Sequence, residues 1–488
     1  MFFSLLFLGL SAQNSSFSTA YQSIFQLQFA QADSAISLFE ANTFESQSKP
    51  YLKHVSLFFR LATNATNDEI KSNTIELKKL TNEYKSANFK SKNEWYYFFL
   101  AEMYVQQSML LAKVGQEWDA FKAFKQSKTY AGKAFQINAN FYPVYKTLGL
   151  IKLLEGAIPN QYSSIAHLFG FEGNTQIGAQ QLLLCFLKCN SNREKAYQNE
   201  AAFILLYASA NFSNLNFNHQ SLINSFKIEQ NQPLMKLAFL AFTKKKPNLL
   251  DVRVQVFKSI SNNDRHVLPY LNMLECDWHL AKNELDSSML ALSTFKKLNK
   301  MLGFECRFWQ RKAWIHFLNK DKNQLQLALK NLKNAKPFSE DDYQVLVEVD
   351  QFENLEIHLL KSRYLFDEGF YDEAKAELLQ ADSISSLWNK KEFNYRLGRI
   401  AQMEGDFENA LHYFEKVNRL SKKSDVDYFG AYANYNSAEI LKSKNQFKLA
   451  ETKLIEAQAF SKHAYQKSLG AKVNNLLKEV KIDSQTRK

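Results

Sequence analysis

The sequence predicts an all-α protein built as a solenoid of helical hairpins, and three observations lead to that prediction. Glycine and proline are scarce, with 14 and 7 residues in a chain of 488, or about 4% where soluble proteins average roughly 12%. Hydrophobic residues make up 46% of the chain and include 41 phenylalanines. Apolar residues recur at helical spacing through almost everything after residue 20. The scarcity of turn residues excludes β-sandwiches and β-barrels, and the apolar content excludes intrinsic disorder.

The first element is an apolar run over residues 1–10, followed by small and then polar residues. The run is too short to cross a bilayer as a helix, which needs about 20 residues, and it ends at small residues as secretory signals do. We therefore expect 1–12 to be a signal peptide and the protein to be exported, to the periplasm or cell envelope. Because Lys and Arg are absent from this segment, the alternative is a buried first helix of a cytoplasmic protein.

We expect three helical regions after the signal. Residues 13–190 form an N-terminal region with one degenerate repeat, marked by Gly115 and Ala120, and with a cluster of glycines between Gly149 and Gly178. Those glycines are predicted to form turns between helices, since no Gly-Lys-Ser/Thr phosphate-loop sequence follows them. Residues 191–336 form a middle region with divergent repeats. Residues 337–488 form a C-terminal repeat array, because Pro337 is the last proline.

Internal similarity is the most informative feature of the chain. Four segments align on a common alanine: Ala328, Ala374, Ala410 and Ala450. Five residues earlier stand Asn323, Gly369, Gly405 and Asn445, residue types that tolerate the left-handed conformation ending a helix. Four residues later stand Leu332, Leu378, Phe414 and Leu454, on the same helical face as the alanine. The pattern predicts a helix, a tight turn and a second helix in each segment.

These segments resemble tetratricopeptide repeats. The resemblance is carried by Gly405–Ala410, with Leu397-Gly398 before it and Phe414 after it, and it is best over 340–465, weaker over 270–336 and partial over 95–150. The alanines are 46, 36 and 40 residues apart instead of a regular 34, which predicts an irregular superhelix. A second, weaker resemblance, to Iml-type tetratricopeptide proteins, rests on 156–159, 168–173 and Gly178.

The sequence supplies no pattern for catalysis. The four cysteines and nine histidines form no CxxC, no HExxH and no histidine pair at i, i+4. We therefore predict no catalytic residue, no metal and no cofactor. The net charge of +12 comes from scattered lysines without an aromatic-interleaved stripe, so nucleic acid is not an expected partner. No later segment is apolar enough for a membrane span.

The resemblance implies a concave surface lined by the first helix of each hairpin. Transferring its register gives six partner-binding candidates: Arg363, Phe366, Tyr395, Arg399, Gln402 and Tyr435. The alternative for each is an ordinary contact between repeats. We expect a non-enzymatic scaffold that binds a protein or peptide and associates with envelope complexes; a glycan or small-ligand binder and a cytosolic adaptor are the alternatives. Charge reversal of Arg363 and Arg399 is expected to weaken partner capture without lowering the melting temperature.

Overall fold

The computed structural model describes residues 16–486 apart from 42, 88–91, 158–172, 213–214, 216, 218, 226–231, 245, 353–354 and 382–383. All regular structure in these residues is helical, which confirms the all-α prediction. The described residues form two compact units. Unit 1 lies within Met1–Gly156 and Phe171–Ala238, and unit 2 within Ala157–Gly170 and Phe239–Lys488. The predicted signal segment 1–12 lies outside the described residues, and the division at 190 and 336 stays a prediction.

Unit 1 consists of helices that pack mainly as antiparallel neighbours. They are α1 (Phe17–Phe25), α2 (Phe29–Ser37), α3 (Phe44–Asn64), α4 (Asn67–Ser86), α5 (Glu94–Lys113), α6 (Glu117–Ile137), α7 (Pro143–Ala157), α8 (Thr175–Lys188), α9 (Gln198–Asn211) and α10 (His219–Ser225). Helix α11 (Pro233–Thr243) belongs to unit 1 up to Ala238.

Unit 2 contains five helical hairpins and further single helices in its described residues. Its helices are α12 (Leu250–Ser259), α13 (Asn262–Val267), α14 (Tyr270–Ala281), α15 (Leu285–Leu298), α16 (Glu305–Leu318), α17 (Lys322–Asn334), α18 (Glu340–Val349), α19 (Ile357–Glu368), α20 (Tyr371–Leu378), α21 (Leu387–Glu404), α22 (Phe407–Leu420), α23 (Phe429–Ser443), α24 (Phe447–Gln458) and α25 (Gln466–Thr486). No helix in the described part of the chain is both long and apolar enough to span a membrane.

The core of unit 1 is aromatic. Tyr51 on α3 stacks on Phe99 on α5 with 3.9 Å between ring centroids, and Tyr21 packs against Tyr197 at 4.6 Å. A helical hairpin stands where the degenerate repeat is predicted: Gly115 adopts a φ of 76° between α5 and α6, and Ala120 on α6 is buried.

The prediction that the glycines of 149–178 form turns is wrong for three of them. Gly149 and Gly156 lie inside α7, and Gly178 lies inside α8. A Cβ on Gly149 would come within 2.7 Å of the Gly178 carbonyl oxygen, so these glycines allow two helices to cross in backbone contact. Gly170 lies outside the described residues.

The hairpin prediction in unit 2 is confirmed at three turns. Gly369, Gly405 and Asn445 have positive φ values of 92°, 79° and 60° and separate the two helices of hairpins α19/α20, α21/α22 and α23/α24. The fourth position is wrong. Asn323 lies within α17, and the left-handed residue is Lys320, with a φ of 59°. Helix α17 therefore begins one turn earlier than the alignment implies.

Two elements of unit 2 fall outside the alignment on alanine. Hairpin α14/α15 follows the same pattern, with Asn283 at a φ of 56° and buried Ser288 in place of the alanine. Single helix α18 stands between α17 and α19, and this extra helix accounts for the 46-residue interval between Ala328 and Ala374. Helix α19 also packs against α14, across the intervening hairpin α16/α17.

Close packing within a hairpin depends on a small residue facing a large one. A Cβ on Gly398 of α21 would lie 2.7 Å from the ring of Phe414 on α22, and Ala410 and Phe414 are fully buried. The absence of a side chain at Gly398 thus sets the separation of the two helices.

Candidate functional site

The first helices of the unit 2 hairpins line a cavity of about 790 Å³, which we call the groove. Helices α14, α16, α19 and α21 contribute to its wall, together with α18 and the beginnings of α23 and α25. Its charged lining residues are Lys244, Asp277, Arg307, Arg311, Glu340, Asp341, Glu348, Arg363, Asp367, Arg396, Arg399 and Lys472. Its aromatic lining residues are Tyr270, Trp314, Phe366, Tyr395, Tyr428, Tyr432 and Tyr465.

One register places these side chains in the groove. Asp277, Trp314, Arg363 and Arg399 each stand six residues before the left-handed residue that ends their helix. Residues nine or ten positions before it, such as Gln310 and Tyr395, lie one helical turn away on the same face. The groove is therefore a repeated feature of the hairpins.

The structure brings four of the six predicted residues together. Arg363, Phe366, Tyr395 and Arg399 all line the groove, whereas Gln402 and Tyr435 lie outside its lining. Tyr435 is packed in the core of the α23/α24 hairpin, and its hydroxyl donates to Glu439 at 3.0 Å. Binding of a partner by any of the six stays a proposal.

Arg363 is also a structural residue. Its side chain is only 8% exposed and its guanidinium bonds Glu392 at 2.7 Å and Glu348 at 2.7 Å. Burial favours the neutral form of Glu392, but Arg363 and Arg396 outweigh burial and lower the pKa of that carboxyl. Charge reversal at Arg363 would add a third carboxylate beside Glu348 and Glu392, so from the structure we expect a loss of stability at this residue in place of the unchanged melting temperature.

A second ion pair joins two neighbouring hairpins of the groove. Arg311 Nε on α16 donates to Asp277 on α14 at 2.7 Å, and the guanidinium lies 4.4 Å from the ring centroid of Trp314. Burial favours a neutral Asp277, but Arg311 and Lys244 outweigh it and lower the pKa of the carboxyl. The pair stays charged at neutral pH and holds the two hairpins in register.

Arg399 has a different environment from Arg363. Its Nη1 donates to Asn436 at 3.4 Å, and its guanidinium lies 5.6 Å from the centroid of Phe366. No carboxylate lies within 4 Å of it among the described residues, and its buried Nε has no hydrogen-bond partner there. Arg399 is therefore engaged by the neutral side chains of Asn436 and Tyr395, whereas Arg363 is engaged by carboxylates.

Tyrosines form the end of the groove next to α25. Tyr428 lies between Tyr395 and Tyr465, with ring centroids 5.7 and 5.4 Å away, and Tyr432 lies 6.0 Å from Tyr465. Tyrosine offers a large rigid surface and a hydroxyl at low entropic cost, which is why it is frequent in binding sites.

Sequence reasoning missed several groove residues, for two reasons. The register above also applies to four residues on α14 and α16, which are Asp277, Gln310, Arg311 and Trp314. Their helices are followed by the left-handed residues Asn283 and Lys320, and the alignment on alanine used neither residue as a turn. Residues of α18 and α25 have no repeat signal, because tertiary packing alone brings them to the groove.

Unit 1 contains a buried polar cluster that plays no part in the groove. Lys146 Nζ bonds Glu200 at 2.8 Å and also contacts Glu102 and Tyr21, and all four residues are buried. Burial favours neutral Lys146, but Glu102 and Glu200 outweigh it and raise the pKa of the ammonium. We interpret this cluster as structural, joining α1, α5, α7 and α9.

Comparisons with known proteins give no close relative. No family model matches the chain, and no curated protein matches it. Among solved structures, the chain is similar to the P58(IPK) TPR domain at 9% identity, covering 90% of this chain and 99% of that one with a TM-score of 0.24. It is similar to yeast Tom70 at 12% identity, covering 96% and 81% with a TM-score of 0.27. It is similar to Cut9-Hcn1 of the APC/C at 12% identity, covering 96% and 97% with a TM-score of 0.28. At these scores the likenesses carry no argument about function, and the Iml-type resemblance gains no support.

Proposed function

We propose that this chain is a tetratricopeptide-type scaffold that binds a protein or peptide segment in the groove of unit 2. The observation that carries the proposal is the repeated inward register, which directs Arg and aromatic side chains from successive hairpins into one cavity. Arg, Tyr and Trp dominate the energetics of protein interfaces because they bury large areas with few lost rotamers. A groove between stacked helices suits an extended or helical chain segment.

The proposed role is binding without catalysis. Arginines form ion pairs with the groove carboxylates Asp277, Asp341 and Glu348. These ion pairs hold both side chains in place and neutralise the carboxylate charges. Catalytic acids and bases need pKa values moved toward neutrality, whereas the pKa of Asp277 is moved away from it.

Groove-filling substitutions test the proposal. Leu274 lines the groove and is half-buried, so Leu274→Trp reduces the cavity, while Ile455→Trp on the exposed face of α24 is the matched control. We expect tagged Leu274→Trp protein to lose partners that wild type and Ile455→Trp capture from the native host, as measured by quantitative mass spectrometry. Equal capture by all three proteins would refute groove binding.

A small ligand such as a glycan is the second candidate, favoured by the cavity volume of about 790 Å³, which lies in the usual range for ligand pockets of roughly 300–1,000 Å³. A ligand-dependent rise in melting temperature that Leu274→Trp abolishes would favour it over a protein partner.

The proposed location is the exported compartment, supported by the apolar run of residues 1–10 alone. Sequencing of the mature N-terminus tests it. A terminus near Gln13 or Asn14 supports export, and an intact Met1 would favour the cytosolic adaptor.

A further inference from the structure

The cations of the groove fall into two classes. Five are matched by a carboxylate within 4 Å; these are Lys244 with Glu368, Arg307 with Asp341, Arg311 with Asp277, Arg363 with Glu348, and Arg396 with Glu392. Arg399 and Lys472 make no such pair among the described residues. Both line the groove at its tyrosine-rich end.

The surroundings of these two cations leave them open to a ligand. Lys472 is exposed, and its Nζ lies 5.7 Å from the ring centroid of Tyr432. Arg399 has a buried Nε without a hydrogen-bond partner. Three carboxylates lie close enough to influence Lys472, and one of them, Glu439, also influences Arg399. Each is already engaged elsewhere: Glu439 accepts a hydrogen bond from Tyr435 at 3.0 Å, Asp341 pairs with Arg307 at 3.2 Å, and Glu340 accepts a backbone N–H of α25 at 2.9 Å.

Helix α18 indicates what kind of group this surface binds. Its groove face presents Asp341 and Glu348 to Arg307 and Arg363, at 3.2 and 2.7 Å. At its beginning, the carboxylate of Glu340 accepts hydrogen bonds from the backbone N–H groups that start α25, at 2.9 and 3.2 Å. Helix α18, itself part of the groove wall, thus packs against the neighbouring helices through carboxylate contacts.

We propose that the part of the groove around Arg399 and Lys472 binds an acidic segment of the partner protein, with carboxylates on the two cations and apolar atoms on the tyrosines. This inference rests on the proposed function and specifies its ligand. A nucleic acid fits less well, because a phosphate backbone is held by a row of unpaired cations, whereas five of the seven groove cations already pair with carboxylates.

The test uses a fluorescent octa-glutamate peptide, with octa-glutamine as the neutral probe, and the full-length protein. We compare wild type with Arg399→Gln/Lys472→Gln and with Arg419→Gln/Lys448→Gln, which removes the same charge from exposed positions outside the groove. We expect the groove variant to bind octa-glutamate at least tenfold more weakly, and the control variant to stay within twofold of wild type. Lys472→Gln alone, at an exposed position, serves if the double variant has a lowered urea midpoint.

Several outcomes would overturn the inference. These are equal weakening in both double variants, equal binding of the two peptides, no binding of octa-glutamate, and tighter groove-dependent binding of an eight-nucleotide dT strand.

Partner capture distinguishes a failure of the acidic-segment inference from a failure of the proposed function. If Leu274→Trp abolishes capture while Arg399→Gln/Lys472→Gln preserves it, the groove binds a partner that is not held by acidic groups. If neither variant affects capture, the proposed function itself is refuted.

Discussion

Replacing Arg363 by methionine should destabilise unit 2, although this residue lines the proposed binding surface. Its guanidinium bonds Glu392 through several contacts of 2.7 to 2.9 Å, and the Glu392 side chain is 1% exposed. Methionine retains much of the aliphatic volume but removes the charge. Glu392 would then keep only Arg396, whose Nη2 lies 3.3 Å away.

The expected cost follows from the burial of that carboxylate. Removing one member of a buried ion pair typically costs about 3–5 kcal/mol, because a charge is left without a counter-ion. We expect about 3 kcal/mol here, at the low end, because Arg396 still contacts Glu392. Replacing both members by apolar residues, in Arg363→Met/Glu392→Leu, should recover most of this loss.

Urea unfolding followed by circular dichroism measures these free energies, and a double-mutant cycle isolates the coupling between the two residues. Arg399→Met is the matched control, since it removes a groove arginine without a carboxylate within 4 Å, and its cost should stay below about 1 kcal/mol. If Arg363→Met and Arg399→Met unfold at the same urea concentration as wild type, Glu392 is not a buried partner of Arg363 and our reading of this wall of the groove is wrong.

Two further predictions concern packing and pH. Gly398→Ala should destabilise the α21/α22 hairpin by about 1–3 kcal/mol, because the new Cβ would press on the Phe414 ring. Gly470→Ala is the control: the space around Gly470 is open, so this variant should be more stable by about 0.5–1 kcal/mol. Equal urea midpoints for the two variants would contradict the packing described for Gly398. Burial lowers the pKa of His54 in the folded protein to about 3. Below about pH 6.5 the imidazole therefore gains a proton in the unfolded chain only, and this protonation lowers the free energy of unfolding as the pH falls. Between pH 7 and 5.5 we expect a loss of roughly 1 kcal/mol that His54→Gln removes and that the exposed-site variant His412→Gln retains; identical pH profiles for the two variants would contradict it.

The hairpins could be predicted from sequence where their turns carry a residue type that signals its conformation. Gly369, Gly405 and Asn445 do so, because glycine and asparagine favour the left-handed region. Lys320 adopts the same conformation, but lysine has no preference for it. The sequence pattern therefore placed this turn at Asn323, three residues too late. The hairpin that turns at Asn283 lies in the region of weaker resemblance, and the alanine alignment left it out because Ser288 takes the packing role given to alanine.

The groove could be predicted only in part, for a related reason. Arg363, Phe366, Tyr395 and Arg399 follow from a register that repeats along the chain. Contributions from α18 and α25 depend on contacts between segments more than 100 residues apart, such as that of Glu340 with the backbone of Ser468. Periodicity within a repeat does not encode such contacts. Likewise, sequence could not distinguish Arg363, which is engaged in buried ion pairs, from Arg399, which is not.

Site-specific cross-linking tests the central claim, that the groove of unit 2 holds a partner protein. A photo-reactive p-benzoylphenylalanine replaces Tyr432 inside the groove or, as the control, Ile455 on the exposed face of α24. After irradiation in the native host, we expect a discrete protein adduct from position 432 that is absent from position 455 and disappears when Leu274→Trp is added. Adducts of equal yield at both positions, or an adduct at 432 that persists in the Leu274→Trp background, would contradict it.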